Sequence, residues 1–238
     1  MCTVLLRFLP DAAWPLLVAA IRDEFLERPW DPPARHWGTD LVGGRDRTAG
    51  GTWLAVRPDR PAFSALLNGV RLAPAASGER PSRGGLPLAA LRDELPDDLT
   101  GYDGFHLLLG TPSTLTMWSW DGAEVTRREL DPGDHVVVNL GVDVTDDPLV
   151  PHFAPLFAAT ADPPLAGGAT AAAWGEWLTL LAGDGLAPDD PRALLVRREF
   201  EGKVYGSGSA SLVAIGAGAV RYDFTPTPMT PQWTKVTP

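Results

Sequence analysis

Apolar and polar positions along the chain fall into short runs broken by glycine and proline, the signature of hairpins rather than of long helices. Cys2 to Leu9 is rich in β-formers and ends at Pro10-Asp11, which predicts a first strand closed by a turn. The apolar run Trp14 to Ile21 suits strand or helix by periodicity. The short intervening turn predicts a strand pairing back on the first and ending at the charged cluster Arg22-Asp23-Glu24. Arg28 to Ala49 shows no steady period and is expected to be a long surface loop. Strands are then predicted from Gly50-Gly51 through Val56 and over Phe63 to Val70, followed by a flexible loop from Ala73 to Gly85 and a helix from Leu86 to Leu95. Further strands are predicted over Gly104–Gly110, Ser113–Trp120, Ala123–Leu130 and Val136–Leu140. Two helices follow, over Pro148–Ala159 and Ala171–Ala182, and the end returns to strands at Leu194–Phe200, Ser209–Ile215 and Ala219–Phe224. Strands neighbour strands instead of alternating with helices, which favours antiparallel sheets with helices on their faces. Neither a repeat nor a linker composition interrupts the chain, so a single domain over residues 1–238 is the economical reading.

Composition narrows the functional classes. The chain has 238 residues, of which 45% are hydrophobic and 21% charged, which supports a packed globular core. Twenty Lys+Arg against thirty Asp+Glu give a formal charge of -10, and such a field repels phosphate backbones, so nucleic acid is a poor partner. Pro10, Asp11 and Pro15 interrupt the apolar N-terminal stretch, and no run is long enough for a membrane span, so a cytoplasmic location is expected. The glycines of Gly43 to Gly51 lack the lysine and hydroxyl ending of a phosphate-binding loop. His36, His106, His135 and His152 show no metal-ligand spacing, so no metal is expected, although His36 or His152 could serve as an axial ligand to haem. Among the nine tryptophans, Trp118 with Trp120 and Trp174 with Trp177 share faces of their elements, as core residues do.

The one cysteine, Cys2, follows the initiator methionine. A small second residue favours removal of Met1, which would leave a free α-amino group on Cys2. An amine of pKa about 7.7–8.0 is matched to take a proton from a thiol near 8.5, so one residue can supply both nucleophile and base. The same residue also suits the start of a buried strand.

Taken in order, Met1-Cys2-Thr3, Ile21-Arg22-Asp23-Glu24, Gly43 through Leu54, Leu67-Asn68-Gly69, Ser82-Arg83-Gly84, Tyr102-Asp103-Gly104-Phe105, Pro132-Gly133-Asp134 with Asn139, and Tyr205-Gly206-Ser207 resemble the NRDE family, also called the transport and Golgi organisation 2 family. More thinly, the chain is similar to N-terminal-nucleophile (Ntn) cysteine amidohydrolases. The resemblance implies an α+β fold, a four-layer αββα sandwich of two antiparallel sheets, with Cys2 at the active centre. It implies attack by Cys2 on a small amide or acyl thioester, with Arg22 beside the thiol and Asp23 holding the α-ammonium group. Asn68 and Asn139 are then side-chain candidates for oxyanion stabilisation, and Arg71, Arg83 and Trp53 for substrate binding. The chain departs from the family pattern at Ile21, where asparagine is usual, and at Gly208, where arginine is usual. The alternative reading is a non-catalytic haem or acyl-lipid binding and trafficking protein on the same scaffold, with haem as ligand rather than resident cofactor.

Overall fold

A computed structural model describes residues 2–70, 72, 80–165 and 167–237. Alternation of apolar side chains builds the strands and decides what each face touches. In β1 (Thr3–Phe8), Val4, Leu6 and Phe8 enter one core cluster and Leu5 another, as the two-residue period of a strand requires. β1 pairs antiparallel with β2 (Leu16–Phe25), Thr3 opposite Ile21 and Phe8 opposite Leu16. Sheet B follows as a meander of consecutive antiparallel strands: β3 (Trp30–Ala34), β4 (Val42–Asp46), β5 (Leu54–Arg57), β6 (Ala62–Asn68), β7 (Phe105–Gly110), β8 (Leu115–Trp120) and β9 (Val125–Glu129). The chain then returns to sheet A through β10 (Gly133–Val138), which pairs with β1, and β11 (Gly141–Val142). After the helices, β12 (Arg197–Phe200), β13 (Lys203–Ile215), β14 (Val220–Thr225) and β15 (Thr234–Val236) complete sheet A, in the order β11-β10-β1-β2-β13-β14-β15 with β12 paired to β13.

The inward faces of both sheets share one core, to which sheet A gives Val18, Val213 and Tyr222 and sheet B gives Val56, Phe63 and Leu108. The outer face of sheet A, including Leu5, Ala19 and Leu212, is covered by α2 (Leu149–Ala159), α3 (Thr170–Trp174) and α4 (Glu176–Leu181), where Phe153, Phe157, Trp174 and Trp177 are fully buried. The outer face of sheet B carries α1 (Leu86–Leu91), packed through Leu86, Ala90 and Leu91. The fold is therefore α+β, a sandwich of two antiparallel sheets with helices on its outer faces. No helix among the described residues is long and apolar enough to cross a membrane.

Four sequence expectations need correction. β2 does not stop at the charged cluster but runs through Arg22, Asp23 and Glu24, because β13 continues alongside it and supplies backbone partners as far as Tyr205 opposite Phe25. The expected loop from Arg28 to Ala49 contains β3 and β4. Pro32 and Pro33 sit on an edge strand with a bulge between Asp31 and Ala34, where a missing N–H does not break the ladder. The helix expected to Leu95 ends at Leu91, two residues before Asp93 enters the left-handed region at φ 61°. The helix expected over Ala171–Ala182 is two short helices, since Gly175 between them has φ 50° and ψ -121°. Most of the loop expected from Ala73 to Gly85 lies outside the described residues. Its end, Arg83–Gly85, forms a turn of 3₁₀-helix capped by the Ser82 hydroxyl, which accepts from the Gly84 N–H at 3.2 Å.

Candidate active site

Strand pairing places the site. Cys2 directly precedes β1, so the two neighbours of β1 deliver their ends to either side of it. β2 brings Arg22 and Asp23, one and two residues beyond the Thr3–Ile21 pair, and β10 brings Asn139 in the turn to β11. Sheet B closes the other wall with Asn68 at the end of β6, Trp53, and the Ser82–Gly84 segment. The result is a cleft of about 490 Å³ lined by Cys2, Arg22, Asp23, Trp53, Asn68 and Arg83 among others. Six of the expected residues therefore meet there. Asn139 holds the floor from behind, and Arg71 lies outside the described residues.

The backbone N–H of Cys2 donates to Asn139 Oδ1 at 2.7 Å. Asn139 Nδ2 donates in turn to the Asn68 carbonyl, which as an acceptor fixes the orientation of the amide. The Asn139 carbonyl accepts from His106 Nε2 at 3.2 Å, so this ring carries its proton on Nε2, and Nδ1 accepts from the Ser119 hydroxyl at 2.8 Å. Burial holds His106 below the ordinary histidine range, which keeps the ring neutral. Asn139 is thus an anchor joining Cys2 to sheet B, with its carboxamide already engaged on both sides.

The Cys2 thiol donates to the Asp23 carbonyl at a sulfur distance of 3.8 Å, and the Tyr205 hydroxyl donates to the same carbonyl at 3.1 Å. Burial pushes the thiol up, and the charge of Asp23 adds to that rise. The Asp23 carboxyl is itself pushed up to about 7 by burial, against a hydrogen bond from the Ser207 hydroxyl at 2.7 Å. Arg22 is 6% exposed, with its guanidinium 4.5 Å from the centre of the Trp53 ring and, among the described residues, a single ion pair, to Glu24, at 4.0 Å. Burial lowers its pKa below the ordinary arginine range, with the Glu24 charge opposing.

Several residues of the cleft escaped the sequence reading. Arg28 pairs with Asp46 at 2.6 Å and Arg80 with Asp103 at 3.5 Å, while the expected Arg83 donates through Nη1 to the Gly104 carbonyl at 2.6 Å. Arg22, Arg28, Arg80 and Arg83 therefore face Asp23, Glu24, Asp46 and Asp103, so the cleft is nearly balanced in charge. His106 and Ser119 had no signal beyond strand patterning, because their role arises only when the two sheets meet.

Among known families, the one described as Transport and Golgi organisation 2 matches residues 1–149. A comparison with curated proteins returns no match.

Proposed function

We propose, from the premise that the chain belongs to the transport and Golgi organisation 2 family, that it is an Ntn-type cysteine amidohydrolase or acyltransferase acting on a small amide or acyl thioester. The observation that carries this reading is the position of Cys2. Its nitrogen is anchored on Asn139 at 2.7 Å while its thiol stands in a cleft beside Arg22, Asp23 and Asn68. A buried thiol raised above its ordinary range is not a standing thiolate, so attack requires a base within reach. Once Met1 is removed, the nitrogen held by Asn139 is that base.

In the proposed reaction the α-amine takes the thiol proton as Cys2 Sγ bonds to the substrate carbonyl carbon. Asn68 donates to the resulting oxyanion, a contact of the kind worth about 3 kcal/mol. Collapse breaks the carbon–nitrogen bond, the departing amine takes the proton from the α-ammonium, and a thioester remains on Cys2. Water then attacks the thioester, losing a proton to the α-amine, and releases a carboxylic acid and the regenerated thiol; an amine in place of water gives acyl transfer. Asp23 steadies the ammonium form, and Asn139 acts as a positioning residue.

The carrier reading finds less support. None of His36, His106, His135 and His152 lines the cleft. These histidines do not fit axial ligation of haem at this site. The test of the enzymatic reading is intact mass of the purified protein before and after exposure to an activated acyl ester. Met1 is expected to be absent and a single acyl group to be gained. A Cys2→Ala protein that acquires the same adduct and turns over equally would overturn the proposal.

A further inference from the structure

A second cavity, of about 340 Å³, abuts the cleft across Arg22, which lines both. Its walls are Phe25, Leu26, Trp30, Gly208 and the segment Pro226–Thr230, with Met229 projecting. Two features set it apart from the cleft. Its charged groups are Arg22 and Arg197, with no carboxylate among the lining residues. Its rim gathers side chains that proteins usually bury, Phe25 at 39%, Leu26 at 40% and Met229 at 38% exposure. Trp30 forms a wall, edge-on to Trp53 and to Phe224 with ring centres 5.8 Å apart in each case.

Gly208 is the informative residue. It sits at the bulge of β13 between the pairs Ser207–Asp23 and Ser209–Arg22. Its φ lies outside the left-handed region, so the backbone does not demand glycine. Nor does crowding, since an added Cβ would meet Leu26 Cδ2 at 3.6 Å and Arg22 Nη1 at 3.7 Å, both ordinary contacts. What glycine does here is leave the space beside Arg22 open. Arg22 is buried, its guanidinium makes no hydrogen bond among the described residues and has only the 4.0 Å contact to Glu24 as an ion pair there, so its donors are available at the junction of the two cavities.

We infer that this cavity receives a compact apolar arm, aryl or branched aliphatic, on the acyl side of the substrate, with Arg22 at its mouth binding the carbonyl oxygen and afterwards the product carboxylate. The inference rests on the reading of Cys2 as nucleophile, since continuity through Arg22 is what makes the arm part of an acyl group. The cationic mouth and apolar walls select a carboxylate with a hydrophobic substituent over a short polar acid.

Equilibrium binding of hydrocinnamate, a phenyl ring on a short carboxylic acid, tests this without any turnover. Ligand-observed NMR on the full chain should show saturable binding of hydrocinnamate, with acetate weaker. Gly208→Leu, which fills the cavity, should weaken hydrocinnamate about tenfold or more, the discrimination expected of an apolar pocket that loses its space, and leave acetate unchanged. Met229→Glu is exposed enough to leave the fold intact and sets an anion at the rim, so it should weaken hydrocinnamate comparably. Cys2→Ala should bind as the native chain does, which separates this result from any failure of catalysis. Absent binding, or equal affinity in the native, Gly208→Leu and Met229→Glu proteins, overturns the inference.

Discussion

Replacing Asp23 with asparagine isolates the cost of burying a carboxyl beside the Cys2 thiol. Asp23 is 5% exposed, and burial raises its pKa from 3.8 to about 7. The folded chain therefore holds this proton over a range where the unfolded chain has released it. Stability contributed by the protonated carboxyl is fully present below the unfolded value and is lost as pH rises through the folded one. At 1.36 kcal/mol per pH unit the full loss is about 4 kcal/mol. Asparagine keeps an oxygen for the Ser207 hydroxyl, which donates to Asp23 at 2.7 Å, and removes the titration. Urea denaturation of both proteins between about pH 5 and pH 8 reads the effect. Native stability should fall relative to Asp23→Asn by about 1.4 kcal/mol per pH unit up to about pH 7 and then level off. Curves that stay parallel over that range would refute the claim that Asp23 is buried and raised.

Two further predictions concern what holds the cleft together. His106→Phe deprives the Asn139 carbonyl and the Ser119 hydroxyl of their partner, at a cost of about 1–3 kcal/mol, and loosens the anchor of Cys2. Because Cys2 is the only cysteine, its alkylation by iodoacetamide reports the change directly, and an unaltered rate and pH profile would remove His106 as a positioning residue. In Gly51→Ala the added Cβ would lie 2.3 Å from the Gly84 carbonyl carbon and oxygen, and the Thr52 N–H to Gly84 carbonyl bond of 2.8 Å would have to give. A loss of about 1–3 kcal/mol in thermal or urea unfolding is expected, and native stability in the variant would show that the wall of the cleft moves freely.

The hairpins, both sheets and the helical cover were legible in the chain because alternation and turn residues are local signals. What misled was the site itself. Arg22-Asp23-Glu24 reads as the charged end of a strand, yet Arg22 and Asp23 are buried within a sheet, one stacked on Trp53 and the other bonded to Ser207. β4 was hidden by Gly43 and Gly44, which weaken any strand pattern. Their absence of side chains is what lets the strand approach, since a Cβ on Gly43 would fall 2.5 Å from the Leu54 carbonyl oxygen and one on Gly44 would fall 2.4 Å from the Trp53 ring. Cys2, Arg22, Asp23, Asn68, Trp53, Arg83 and Asn139 could be named as candidates through the family resemblance of the chain. The division of labour between the two asparagines could not, because it depends on which carbonyl each amide meets across the sandwich.

That dependence ties the chemistry to closure of the fold. Sheet A alone would present Cys2 between Arg22, Asp23 and Asn139, but Asn139 would then lack both the Asn68 carbonyl and the His106 ring that fix its plane. Sheet B alone holds Trp53 and Asn68 with nothing to act on. The bonds from Asn139 to Asn68 and from His106 to Asn139 cross between the sheets, so the nitrogen of Cys2 is oriented only after the common core has formed. On the proposed reading of Cys2 as nucleophile, a buried thiol whose pKa is raised needs such an oriented base, so its reactivity would depend on the sandwich closing over it.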